Sequence, residues 1–179
     1  MPFAYYKRLS ARRQRVYQKS DAIAEIRLPD PAALRPQVEE LAAALADDER
    51  HRVERICQAL ADAALRQLGT PPVRIAVLAV RPSHDWGELH GLYDPTRKGP
   101  PTISLWMRTA QRQQVVAFRT FLRTLLHELG HHLDYTLLHL AESFHTAGFY
   151  KRESSLFKQL VEEGGAAADP GPRRGPARP

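Results

Sequence analysis

Cysteine is all but absent from this chain. Cys57 is the only one in 179 residues, so no disulfide can close within the chain and no cysteine-based zinc ribbon can form. Long apolar runs are missing too. None approaches the roughly 20 residues that a membrane-spanning helix needs, which argues against a membrane partner. The first 20 residues, MPFAYYKRLSARRQRVYQKS, hold no acid and no apolar h-region, so they do not read as a secretory signal. Their arginines resemble those of a transit peptide, but the aromatics and the scarcity of serine speak against one. The expectation is a cytoplasmic protein.

Hydrophobic residues make up 43% and charged residues 26%, the balance of a globular chain rather than a disordered or fibrous one. The length suits one domain with a sizeable core. The net charge of +6 is unevenly placed. Residues 1–20 carry six Lys/Arg, whereas the body, 21–163, carries 17 basic and 19 acidic residues. The basic character therefore belongs to the ends, which weakens a whole-domain nucleic-acid footprint.

Residues 1–30 read as a basic arm in which Tyr5, Tyr6 and Tyr17 stand among the charges, either docked on the body or contacting an acidic partner. Residues 31–69 read as one or two helices. Val38, Leu41 and Leu45, then Val53, Ile56, Leu60 and Ala64, repeat at three and four, and Gly69 with Pro71 and Pro72 ends the run. Residues 73–80 form the best strand in the chain. GELHGLY and residues 102–106 are further strand candidates. A long helix is predicted from about Ala110 to about His139, and a last one from Lys151 to Glu163. Residues 164–179 are rich in Gly, Pro and Ala and read as a disordered tail. The predicted fold is one α+β domain over 31–163, helical at 31–69 with its core at 73–163. A small, mostly antiparallel sheet packs on the long helix.

That helix carries His127-Glu128-Leu129-Gly130-His131. Two histidines four residues apart share a helical face. They can hold one tetrahedral zinc ion, with Glu128 beside it as general base. Eight histidines and 11 glutamates scattered at random would give this pattern about 2% of the time. On a helical wheel the apolar Phe118, Leu122, Leu125 and Leu129 point to the core and Asp134 joins the metal face. Asp134 is the candidate carboxylate for the second N–H of a ligand imidazole. His132 points away and reads as structural, as does His139.

A catalytic zinc takes a third protein ligand and keeps one position open. His139, Glu142, His145 and Glu153 follow the helix. His145 is the first candidate and Glu153 the alternative.

HELGHHLD after ISLWMR and a long helix resembles the zincin metallopeptidases. His145, 14 residues beyond His131 and with Phe149 four further on, is similar to the SprT-like branch. Arg152-Glu153-Ser154-Ser155-Leu156-Phe157 is similar to the ImmA/IrrE-like minigluzincins, which use a glutamate. No Gly follows His145 directly, and the cysteine pairs of SprT-like proteins are missing.

The resemblance implies a zincin-like fold whose strand before the active helix pairs with an extended substrate, with Ile103–Trp106 as the expected edge. It also implies hydrolysis of a protein or peptide substrate. Zinc would polarise the carbonyl and acidify a water whose proton Glu128 takes and returns to the leaving amine. Tyr150 and His90 are candidate donors to the oxyanion.

Arg108, Arg112, Arg119 and Arg123 fall on one stripe of the predicted helix. Either this is a solvated face, or, with the basic arm, it contacts phosphates. The SprT-like resemblance implies nucleic acid as a partner in the second case. The alternative to a peptidase is a non-catalytic module that keeps the zincin scaffold to bind a protein or nucleic acid.

Overall fold

The helical stretch 31–69 folds as two helices, because Asp48 adopts φ 59°, a left-handed conformation that stops a right-handed helix. Helix α2 (Arg35–Ala46) lies before it and α3 (Arg50–Gln67) after it. Val38, Leu41 and Leu45 of α2 and Val53, Ile56 and Leu60 of α3 are all buried in one core. Gly69, at φ 64°, lets Thr70 N–H donate to Leu65 O and ends α3. Upstream, a 3-10 turn (Ala4–Arg8) leads into α1 (Ala11–Ala22), where the Ser10 side chain accepts from Arg13 N–H as an N-cap.

The computed structural model describes residues 3–84, 87–95 and 99–161. The tail expected at 164–179 lies outside them. Among the described residues no helix is long and apolar enough to cross a membrane.

The strands are β1 (Arg74–Val80), β2 (Ser83–His84), β3 (Gly87–Glu88), β4 (Gly91–Asp94) and β5 (Thr102–Arg108). β2 and β3 pair as a hairpin. The other three form a sheet in the order β1-β5-β4. β1 runs parallel to β5, with Val77 opposite Leu105, and β4 runs antiparallel to β5, with Gly91 opposite Leu105. The sheet is therefore mixed, not mostly antiparallel. The chain crosses over to lay down β4 before β5, so β5 enters from the same end as β1. This order also corrects the expected edge. β5 with Ile103–Trp106 is central, hydrogen-bonded on both sides, and the edge packed against the long helix is β4.

Alternation puts Ile75, Val77, Ile103, Leu105 and Met107 on one sheet face. All are buried with Leu122, Leu125, Leu126 and Leu129 of the long helix, α4 (Phe118–Thr136). α4 begins later than its apolar pattern suggests. Residues 109–116 double back on β5 instead, with Val116 N–H donating to Met107 O and Gln113 at φ 49°. The arginine stripe consequently splits. Arg108 lies on β5, Arg112 in the turn, and Arg119 and Arg123 on α4. Arg108 pairs with Asp48, while Arg119 and Arg123 lie 5.0 and 4.0 Å over the Phe157 ring. The last helix, α5 (Ala147–Val161), starts four residues before the predicted one and packs on α4.

Candidate metal centre

α4 presents His127 and His131 on successive turns. Beyond it, residues 137–146 form an irregular loop that brings His145 back to meet them. His139 turns the chain at φ 51° and is exposed, so it serves the helix end rather than the site. His145 Nε2 lies 3.0 Å from His127 Nε2 and 3.0 Å from His131 Nε2. The three nitrogens thus converge on one point. Of the two third-ligand candidates the structure brings in His145. Glu153 stands behind His127, its Oε2 3.1 Å from Nδ1.

The backs of the rings explain why they face inward. His127 Nδ1–H donates to the Glu153 carboxylate, which leaves Nε2 with its lone pair. His131 Nδ1 lies 2.7 Å from Ser143 Oγ, which donates in turn to Asp134 Oδ2 at 2.7 Å. Ser143 can then only accept from His131, so Nδ1 carries the proton and Nε2 is again free. Asp134 therefore reaches the His131 imidazole through Ser143, and not directly as the helical wheel suggests. Its other oxygen accepts from Arg152 Nη2 at 2.7 Å. Asp134 and Arg152 are 0% and 2% exposed, and an ion pair so buried persists only with its hydrogen bonds complete. His132, pointing away, bridges Tyr93 OH and Pro71 O and is fully buried.

Phe149 forms the floor, with its ring 4.9, 4.8 and 5.3 Å from those of His127, His131 and His145. The motif's glycine makes room for it, because a Cβ on Gly130 would stand 3.2 Å from this ring. Glu128 lies under the edge strand. A Cβ on Gly91 would meet Glu128 Oε1 at 2.6 Å, so only glycine lets β4 pass this close. A cleft of about 670 Å³ runs between β4 and α4, lined by His90, Gly91, Glu128, Tyr135 and the three histidines among others. Tyr150 is not among its lining residues. Its ring stacks on that of His145 at 5.9 Å and lies 6.1 Å from that of His127, and it is 42% exposed.

Burial pushes the His131 imidazole down to about 3, with His127 and His145 adding to the effect. Burial and His127 lower His145 as well, against a small opposing pull from Glu153. Both rings are thus neutral at pH 7, the form that donates a lone pair to a metal. Burial raises the Glu128 carboxyl to about 7, opposed by His127 and by a hydrogen bond from the Tyr93 backbone.

The donor set fits a metal ion. Zinc–nitrogen bonds of about 2.0–2.1 Å in a tetrahedron place ligand nitrogens about 3.3 Å apart, close to the 3.0 Å that separates His145 Nε2 from each of the other two, all three lying within 4.8 Å of one another. Ser143, Arg152 and Gly91 escaped the sequence reading. Their roles come from tertiary contacts that no spacing along the chain encodes. Comparison with family models, with curated proteins and with solved structures finds no match for this chain.

Proposed function

We propose that this protein is a zinc-dependent peptidase. The observation that carries the reading is the convergence of three imidazole nitrogens beside a buried glutamate, at the base of a cleft bordered by a strand edge. His127, His131 and His145 would hold the ion. Three imidazoles with no thiolate suit zinc, and three protein ligands leave a position for substrate or water. Bound there, zinc supplies a Lewis acid that polarises a carbonyl and acidifies water.

The remaining work falls to the chain. Glu128 takes the proton of the attacking water and passes it to the leaving amine. The edge of β4 borders the cleft, and the backbone groups it has left beyond the Tyr93 N–H that serves Glu128 are offered to an extended peptide, which adds as a further strand. Tyr135 accepts from Ser143 N–H at 3.4 Å, so its own O–H is free to donate toward an oxyanion in the cleft. His90 lines the same cleft. Tyr150 stands at the other side of the trio, its ring 5.9 Å from that of His145 and 6.1 Å from that of His127, and is the second candidate donor.

The test pairs wild type with Glu128→Gln, each loaded with one equivalent of zinc and offered an unfolded protein substrate. Cleavage by wild type alone, abolished by a chelator, with zinc retained in the variant, supports the proposal. Equal cleavage by both would contradict it. Zinc bound by both with no cleavage by either would favour the non-catalytic scaffold.

A further inference from the structure

The segment 3–23 is the most basic stretch of the chain, yet it does not stand off the body. It touches the 137–146 loop, which brings Ser143 and His145 to the site, along that loop's whole length. Lys19 Nζ donates to Leu138 O at 3.3 Å. Arg13 reaches both oxygens of Glu142, at 2.6–3.0 Å, and lies 5.4 Å over the Phe144 ring. Tyr5 OH donates to the backbone carbonyl of His145 itself, at 2.9 Å. Ser20 and Thr146, both fully buried, join their hydroxyls at 3.3 Å.

The end of α1 is locked more tightly still. Arg152 donates to Ser20 O at 2.7 Å and Ile23 O at 2.6 Å, capping the helix, and to Asp134 with the same guanidinium. Asp21 accepts from Gly148 N–H at 3.0 Å. A Cβ on Gly148 would stand 2.5 Å from two α1 carbonyl oxygens, so α1 and α5 meet at backbone distance. The loop, by contrast, has no helix or strand to hold it. Its own backbone bonds include Leu140 to Asp134 O and Thr146 to Phe144 O.

We infer that segment 3–23 is a clasp of the metal centre, with Tyr5 and Arg13 as positioning residues that hold His145 and Ser143 at the two α4 histidines. An irregular loop tied to α4 mainly through Ser143 opens more readily than a helix or strand does. Fixing it from outside spares the ion the cost of ordering its third ligand, which is what preorganisation means for a metal site. The clasp stands on contacts alone, while its consequence for a bound ion rests on the zinc reading above.

Hydrogen exchange tests it on the full chain. In metal-free Tyr5→Phe/Arg13→Gln, the hydrogen-bonded amides of Leu140, Thr146 and Gly148 should exchange roughly tenfold faster, the sum of one lost hydrogen bond and one lost surface pair. Amides of β5 should be unchanged. Arg13→Glu should show the same acceleration, and Glu142→Arg added to it should restore protection. Unchanged loop exchange, or equal acceleration in β5, would overturn the clasp.

The coupling has a second readout. Zinc should slow exchange across α1 in wild type and lose that effect in His145→Ala, since coupling between two sites is reciprocal. Zinc that protects the loop but leaves α1 unchanged would overturn it. A chain that takes up no zinc would end the metal reading and leave the metal-free experiment to decide the clasp.

Discussion

Replacing Ser143 by alanine removes one hydroxyl that stands 2.7 Å from His131 Nδ1 and 2.7 Å from Asp134 Oδ2. His131 loses the acceptor that fixes its tautomer and its ring. The loss of such a group behind a metal ligand typically weakens binding 10–100-fold, or about 1.4–2.7 kcal/mol. Asp134 loses one of its hydrogen bonds and keeps Arg152. A hydrogen bond to a charged group is worth about 1.5–3 kcal/mol, so the metal-free protein should also melt earlier. Competition with a chromophoric zinc chelator measures the first effect and thermal unfolding with the metal removed measures the second. Ser143→Thr keeps the hydroxyl and should recover much of the affinity. The reasoning is refuted if Ser143→Ala binds zinc within twofold of wild type, because His131 would then need no partner behind it.

Three further outcomes are expected. A buried carboxyl raised to about 7 binds its proton more tightly in the folded than in the unfolded protein, so its contribution is full at low pH and is lost as pH rises through 7; metal-free Glu128→Gln should therefore gain on wild type, by up to about 3 kcal/mol between pH 4 and 8, and a difference that stays flat with pH would rule this out. Gly91→Ala drives a Cβ to 2.6 Å from Glu128 Oε1 and 2.8 Å from Thr124 Cγ2; it should cost about 1–3 kcal/mol by denaturant unfolding, and an unchanged midpoint would mean that β4 does not press on Glu128. Arg152→Met leaves Asp134 buried without its cation and removes the guanidinium donor from the carbonyls of Ser20 and Ile23, of which Ser20 keeps Ile23 N–H, so a loss of about 3–5 kcal/mol is expected; adding Asp134→Leu should recover part of it, and strict additivity of the two losses would show that they do not act as a pair.

The helical faces were legible because they are periodic. The spacing of Val38 to Leu45 and of Leu122 to Leu129 marks the core sides, and the four-residue spacing of His127 and His131 follows from the helix alone. β1 stood out by its run of apolar residues. The sheet order did not, since nothing in residues 73–108 says on which side of β5 the chain lays β4. The start of α4 is not legible in the spacing, because Val115 continues the apolar pattern of the helix while its backbone bridges to Arg108. His145 against Glu153 stayed open for a related reason. Both residue types bind zinc, and only the fold shows that His145 meets His127 and His131 while Glu153 stands behind His127. Ser143, Arg152 and Gly91 act through contacts between distant segments, which a local pattern does not carry.

The central claim is the ligand trio, and zinc content measures it directly. Wild type, His145→Ala and Glu153→Gln would be purified side by side and analysed for bound metal after reconstitution. The account predicts about one zinc per chain in wild type, loss of tight binding in His145→Ala, and binding kept but weakened, by up to about 10-fold, in Glu153→Gln, where His127 keeps an amide oxygen as acceptor but loses the carboxylate charge. Wild type without zinc even after reconstitution would contradict the account. So would a Glu153→Gln protein that loses the ion while His145→Ala keeps it.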